Sequence, residues 1–195
     1  MAAVKKKCVL VGGGESGKSC MHEAHIENRF PKPYSLSVGD DCYDCYVNVD
    51  GTRVLLTVWD TAGQEDYAKF RTLAYPHSDV VLLCFALDQP SSLDTITDYW
   101  LPEVRQNCPR APILLVGCKK DLKNDPVTLR KFADFRRTPF KPEELRALAK
   151  KIDAFDYLEC SAKTKEGLSE VFETAARAAL YGPRVRKKKS SCSFV

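Results

Sequence analysis

The sequence has no apolar run near the roughly 18–20 residues that a helix needs to cross a bilayer. Its start, Met1 to Lys7, is too short and too basic for a secretory signal and lacks the Met-Gly of myristoylation. On this reading the chain is made and folded in the cytosol. Acidic residues are missing from one place in particular. After Gly182 come Arg184, Arg186, Lys187, Lys188 and Lys189, and no Asp or Glu. The 195 residues carry 30 Lys plus Arg against 26 Asp plus Glu, so residues 1–182 hold 25 basic side chains and are one charge short of neutral. The whole +4 lies in the tail. A nucleic-acid-binding domain would spread positive charge over a folded face, so no nucleic-acid partner is expected. The pattern fits a neutral body with a short electrostatic handle.

The nine cysteines lack the spacing of a disulfide framework. Cys42 and Cys45 form a C-x-x-C pair with no second pair to complete a zinc site, and His22 and His25 add nothing stronger. Cys8 and Cys84 sit inside apolar runs and read as small buried hydrophobes. The set reads as reduced cytosolic thiols.

What is present is a series of short apolar runs: Cys8–Val11, Val54–Trp59, Val80–Leu87, Ile113–Cys118 and Tyr157–Cys160. Their length and β-branched content suit strands buried on both faces. Helical stretches lie between them, over Ser91–Asn107, Pro142–Ile152 and Gly167–Leu180. Leu168, Val171, Phe172, Ala175, Ala176 and Ala179 recur at helical spacing. Tyr43–Asp50, followed by Gly51 and another strand, reads as a hairpin. Strands alternating with helices predict an α/β fold: a six-stranded, mainly parallel sheet with one antiparallel edge strand and helices on both faces. One domain is expected over 1–182, with a charged, Pro-containing insertion at 123–141. Residues 183–195 are expected to be a disordered basic tail.

Gly12-Gly13-Gly14-Glu15-Ser16-Gly17-Lys18-Ser19 fills the pattern G-x-x-x-x-G-K-[ST], directly after a strand and before a helix. Glycines let main chain wrap phosphates, and N–H groups at a helix start point at the anion. Lys18 can neutralise β/γ-phosphate oxygens, and the Ser19 hydroxyl can ligate Mg²⁺. Trp59-Asp60-Thr61-Ala62-Gly63-Gln64-Glu65 closes the third strand. An Asp there can hold Mg²⁺ through water, Gly63 can present its N–H to a γ-phosphate, and Gln64 can orient an attacking water.

With Lys119-Lys120-Asp121 and Ser161-Ala162-Lys163, these motifs resemble the Ras-like small GTPases. The likeness to the Rho branch is closer, through Tyr-Pro at 75–76, Asp125-Pro126-Val127-Thr128-Leu129-Arg130, Thr138-Pro139, Lys141-Pro142-Glu143-Glu144 and the segment from Glu159 to Lys165. The insertion at 123–141 resembles the helix that distinguishes Rho proteins.

This resemblance implies a P-loop GTPase that cycles between GDP and GTP with Mg²⁺. It implies nucleotide contacts at Gly14, Glu15, Ser16, Gly17, Lys18, Ser19, Cys20, Phe30, Gly63, Cys118, Lys119, Asp121, Ser161, Ala162 and Lys163. Asp121 would accept from the guanine N1–H and amine, the Lys119 stem would lie along the base, the Ala162 N–H would meet O6, and Phe30 would cover the ring. Mg²⁺ would be held by Ser19, Ser37 and, through water, Asp60. Gln64 and Lys18 would carry hydrolysis, slow without an activating protein. Exchange factors, GTPase-activating proteins, a GDP-dissociation inhibitor and effectors are the implied partners, with the actin cytoskeleton as output.

The chain departs from the family in three places. Cys118 stands where the pattern has Asn or Thr, and a thiol is a weak hydrogen-bond partner, so faster nucleotide release is expected. The first switch, between Phe30 and Tyr46, has Ser37 in place of Thr, has lost its Pro and has gained Gly39. These departures leave open a fast-exchanging or hydrolysis-poor scaffold. Glu15-Ser16 resembles heterotrimeric G-protein α subunits, but 195 residues leave no room for their inserted domain. An arginine supplied by an activating protein is therefore expected. Cys20 follows Ser19 at a helix start, where dipole and phosphates pull its thiol pKa in opposite directions.

Cys192-Ser193-Phe194-Val195 fits a C-a-a-X prenylation box beside the basic run. One lipid binds a membrane only marginally, and each Lys or Arg near an anionic leaflet adds about 1 kcal/mol. A prenylated, methylated anchor at the cytoplasmic face of the plasma membrane is expected, with a cytosolic pool. The same basic run also suits nuclear import, and the prenyl type stays open.

Overall fold

A computed structural model of the protein describes residues 2–30 and 41–182. The strands are β1 (Val4–Val11), β2 (Asp41–Val49), β3 (Thr52–Asp60), β4 (Val80–Ala86), β5 (Ile113–Cys118) and β6 (Asp156–Glu159). They form one six-stranded sheet in the order β2-β3-β1-β4-β5-β6. Only the β2–β3 pairing is antiparallel, closed by Asp50-Gly51, both at positive φ. The remaining pairings are parallel.

Each central strand is apolar on both sides, so its alternate residues feed two cores. Cys8, Leu10, Leu82, Cys84, Leu114, Val116 and Cys118 face one side. There they meet α1 (Lys18–Glu27) and α7 (Leu168–Tyr181). All six positions of the predicted apolar stripe of α7 are buried. Val9, Val11, Val81, Leu83, Phe85, Ile113 and Leu115 face the other side. The end of α2 (Ala68–Ala74), α3 (Ser92–Thr95), α4 (Leu101–Asn107) and α6 (Pro142–Lys151) cover it.

Several boundaries differ from the sequence reading. β1 begins at Val4 and includes Lys5–Lys7 because its first half pairs with β3 at the bottom of the sheet. Its lysines find partners there: Lys6 Nζ is 3.1 Å from Asp79, and Lys7 Nζ lies 4.1 Å from the Trp59 ring centroid. The single helix expected over Ser91–Asn107 is interrupted by a π-helical stretch, Ile96–Trp100. Pro102 explains this, since it has no N–H for the carbonyl of Asp98 and its ring crowds that oxygen. The edge strand spans Asp41–Val49 rather than Tyr43–Asp50.

Within the insertion, α5 (Pro126–Asp134) forms a helix. Asp125 caps it by accepting from the N–H groups of Val127 at 2.9 Å and Thr128 at 3.4 Å, and Pro126 takes the first turn. Phe132 is buried edge-on against Phe140, which meets Phe85 of β4 in the same manner. That contact fastens the insertion to the second core. The expected tail, 183–195, lies outside the described residues.

The parallel strands end on one edge of the sheet. In open α/β sheets, the crevice outside those carboxyl ends is where ligands bind.

Candidate functional site

The loop between β1 and α1 turns at two glycines with positive φ, Gly12 and Gly17. Gly12 has φ +152, and a Cβ there would stand 2.1 Å from the Cys84 carbonyl oxygen, so nothing larger fits against β4. Gly17, left-handed at φ 90, begins α1. The Ser16 N–H turns back to the Gly13 carbonyl at 3.0 Å, which rolls the loop into a cradle. Lys18 is folded over this cradle, with Nζ 3.3 Å from Gly13 O and only 3% of the residue exposed. Burial lowers its pKa, and the neighbouring Asp60 carboxylate works the other way.

Asp60 ends β3 and is itself buried. Thr61, next along, ties the departing chain to β1 by donating to Leu10 O at 2.7 Å. Gly63 then lies directly on the cradle, where an added Cβ would fall 2.3 Å from Gly14 N. Main chain here meets main chain.

Gln64 has an exposed side chain and lines neither cavity described below. Its backbone is nevertheless fixed. Arg71, on α2 and fully buried, donates from Nη1 to the carbonyls of Ala62 at 3.0 Å and Gln64 at 2.5 Å. Its Nε and Nη2 each donate to the Glu103 carboxylate at 2.9 Å, and Nη2 also reaches Tyr99 Oη at 2.9 Å. Tyr75 Oη donates to Glu103 at 2.5 Å. Burial pushes the Glu103 carboxyl up, but hydrogen bonds from Arg71 and Tyr75 outweigh it and hold the group below its ordinary value.

Two cavities meet over this framework. One, of about 200 Å³, is lined by Gly14, Glu15, Gly17, Lys18, Ser19, Cys20 and Lys119. The other, of about 350 Å³, is lined by Gly17, Cys20, Met21, Phe30, Cys118, Lys119, Asp121, Leu122, Cys160, Ala162 and Lys163. Gly17, Cys20 and Lys119 belong to both, so they form one cleft with a cationic, N–H-rich end and a flatter, apolar end.

At the apolar end, Ser161 Oγ donates to Asp121 Oδ1 at 2.6 Å and accepts from the Thr164 N–H at 3.0 Å. The buried serine thereby orients the carboxylate. Lys119, left-handed at φ 60, runs its stem past Gly17, where an added Cβ would lie 3.5 Å from Lys119 Cγ. Its Nζ is held by Asp88 at 3.1 Å. Phe30, 51% exposed, stands at the rim with a ring face open.

The fold thus gathers Gly14, Glu15, Gly17, Lys18, Ser19, Cys20, Phe30, Cys118, Lys119, Asp121, Ala162 and Lys163 around the cleft. Ser161 supports Asp121, and Gly63 covers the cradle. Ser16 contributes its backbone; its hydroxyl is buried beneath the loop, beside a separate cavity lined by Cys84 and Ser92. Ser37 and Cys192 lie outside the described residues. Burial first, and Glu23 second, raise the Cys20 thiol pKa above its ordinary value. Cys42 and Cys45, three apart on a strand, point to opposite faces, with Cys42 exposed and Cys45 against the core.

A Mg²⁺ ion calls for hard oxygen donors near phosphate. Ser19 at the helix start and the buried Asp60 carboxylate, close enough to Lys18 to influence its pKa, supply that donor type.

Sequence reasoning missed Asp88, Arg71, Glu103 and Cys160. Asp88 carried a signal, an acid directly after the apolar run Val80–Leu87. Arg71 carried none, because a buried arginine and a solvated one look alike in sequence. Among protein-family models, the one described as the Ras family matches residues 7–181.

Proposed function

The chain belongs to the Ras family, and we propose that it is a Rho-type switch signalling from membranes to the actin cytoskeleton. Members of the family bind GTP and GDP, generally with Mg²⁺, hydrolyse GTP, and work with exchange factors, activating proteins and effectors. The observation that carries the reading is the single cleft, with the Asp121–Ser161 pair at one end and the Lys18 cradle at the other.

Guanine enters the apolar end between the Lys119 stem and Phe30. Asp121 accepts from its N1–H and exocyclic amine, a donor pair that adenine does not present. The Ala162 N–H donates to O6. The phosphates take the N–H groups of the 12–17 loop, and the Lys18 ammonium moves from Gly13 O to the β/γ oxygens. Mg²⁺, when bound, neutralises phosphate charge, and Ser19, Ser37 and Asp60 are the residues that would hold it. Gln64 orients the attacking water, and Arg71 keeps that residue's backbone in place. An activating protein adds an arginine, which accelerates hydrolysis by about 10³–10⁵. Reordering of the switches on contact with the γ-phosphate gives the form that effectors read.

Residence at the cytoplasmic face of the plasma membrane is assigned to a prenyl group on Cys192 with the basic run 184–189. A GDP-dissociation inhibitor would maintain the cytosolic pool. The α5 helix and its Asp125 cap support the Rho assignment, since they fall in the stretch where the sequence resembles that branch.

Competition of ATP and GTP against labelled GDP, followed by single-turnover GTP hydrolysis, tests the core of this reading. Displacement by GTP alone and release of phosphate are expected; displacement by ATP at equal concentration would refute it. A second reading, a fast-exchanging and hydrolysis-poor scaffold, is favoured by Cys118 in the base pocket. Bound GTP that outlasts many exchange half-lives would select it.

A further inference from the structure

The apolar end of the cleft rests on three thiols. Cys84 lies on β4, Cys118 ends β5 and Cys160 follows β6; all are buried and face the same core. The Cys118 thiol lies close enough to both of the others to be influenced by them. Cys160 brackets it through the backbone, donating its N–H to Gly117 O at 2.9 Å and accepting from the Lys120 N–H at 2.9 Å. The parallel ladder ends at the Gly117–Glu159 pair, and Cys118 and Cys160 are the next residue on each side. Adjacent strands lie about 4.7–4.9 Å apart, within the roughly 4.4–6.8 Å Cα separation of a disulfide. Cys84 is two residues out of register, opposite Val116. Cys118 and Cys160 both line the 350 Å³ cavity, whereas Cys84 does not.

We propose that Cys118 and Cys160 form a redox-modifiable pair in the base pocket, which a hydroperoxide converts to a disulfide when nucleotide is absent and which bound guanine nucleotide shields. The gating rests on the nucleotide reading of the cavity. In the first step the Cys118 sulfur attacks the terminal peroxide oxygen. The O–O bond breaks, an alcohol or water leaves with the thiol proton, and Cys118 becomes a sulfenic acid. The Cys160 sulfur then attacks the Cys118 sulfur; the S–S bond forms, the S–O bond breaks, and water leaves with the Cys160 proton. Two thiols are oxidised and one hydroperoxide is reduced.

The order of attack follows from the surroundings. Hydrogen bonds from Cys160 and Cys84, with the Lys119 and Lys18 charges nearby, favour the Cys118 thiolate. The reciprocal bond to Cys118, together with burial, keeps Cys160 protonated. The disulfide draws Cys118 away from the phosphate loop, where its Cβ would lie 3.3 Å from a Cβ on Gly17, and binds β5 to the loop carrying Ala162. GDP affinity should fall at least about tenfold, the worth of one good hydrogen bond, and recover with dithiothreitol.

The test uses the full chain stripped of nucleotide, one half reloaded with GDP and Mg²⁺ and its bound GDP counted. Both halves receive hydrogen peroxide, then an alkylating quench and unreduced peptide mapping. A peptide linking Cys118 to Cys160 is expected in the stripped half and should be at least about tenfold scarcer in the loaded half. If GDP does not load, the nucleotide reading falls. If GDP loads and the link forms equally, the shielding inference falls while that reading stands. No link in the stripped half, or a Cys84–Cys118 link instead, overturns the pair. Cys160→Ser should abolish the link and keep its own GDP affinity through peroxide; a loss as large as that of the native chain would overturn the disulfide as the cause.

Discussion

At the phosphate end of the cleft, Gly12 and Gly63 bring main chain against main chain, with added Cβ atoms falling 2.1 and 2.3 Å from neighbouring backbone. The end proposed to take the base is lined by side chains instead: Asp121 held by Ser161, Lys119 held by Asp88, and a floor of thiols. The two ends therefore fail differently. Change at the first is limited by room, so a substitution alters shape before it alters chemistry. Change at the second leaves the shape and removes specific hydrogen bonds. Cys118, which the sequence reading sets apart from the family pattern, lies at the side-chain end.

The largest test of this contrast is Asp121→Ala. On the proposed reading it removes two charge-assisted hydrogen bonds to guanine, each contributing about 1.5–3 kcal/mol. GDP affinity should drop about 10²–10⁴-fold in a displacement titration, while the circular dichroism spectrum stays unchanged. A loss below about tenfold would mean that the base end does not select by side chains.

Arg71→Met probes the support of the phosphate end. It leaves the half-buried Glu103 without its cation and the carbonyls of Ala62 and Gln64 without a donor. Breaking a buried pair from one side destabilises by about 3–5 kcal/mol. For a chain of this size that lowers Tm by roughly 6–20 °C. GTP hydrolysis should slow more than GDP binding weakens, since Gln64 is what Arg71 positions. Equal losses in both would reduce Arg71 to a folding role.

Cys118→Asn has a smaller expected effect with the opposite sign. An amide brings two donors and an acceptor to the contact between β5 and Gly17, where a thiol offers little. One good hydrogen bond there, about 1–3 kcal/mol, should slow GDP release roughly 5- to 150-fold. Unchanged release would show that the thiol floor already does the work of the amide.

The phosphate end was the more legible in sequence, because backbone geometry demands glycine and glycine is visible. Lys18, Asp60 and Gly63 fell where the strand-to-loop spacing placed them. At the base end the motif residues were readable, but their supports were not. Nothing in the order of residues announces that Cys84, Cys118 and Cys160 converge, since that follows from strands β4, β5 and β6 lying side by side. The buried Arg71 was hidden for the same reason, its partner Glu103 lying 32 positions away. The π-helical turn at Ile96–Trp100 was written in Pro102, but an isolated proline does not say which distortion it will impose.

Helix α1 belongs to both ends, and the last prediction concerns its seat. His22 is 1% exposed, packs against Tyr43 with ring centroids 4.9 Å apart, and has a buried Nε2 without a hydrogen-bond partner. Burial first, and the His25 beside it second, lower its pKa to about 4. The unfolded chain takes up this proton near the ordinary value of about 6.5. Above that pH both states are neutral and His22 adds no pH dependence. As pH falls from about 6.5 toward 4, only the unfolded state is protonated, so stability declines. At pH 5.5 the loss should be about 1 kcal/mol, or roughly 2–4 °C in Tm with GDP saturating. His22→Phe keeps an apolar ring against Tyr43 and Phe172 and cannot be protonated, so its decline between pH 7 and 5.5 should be shallower by that amount. GDP affinity at pH 7 should be unaffected. A parallel decline in both proteins would place the acid sensitivity elsewhere, with His25 next to test because burial lowers its pKa as well.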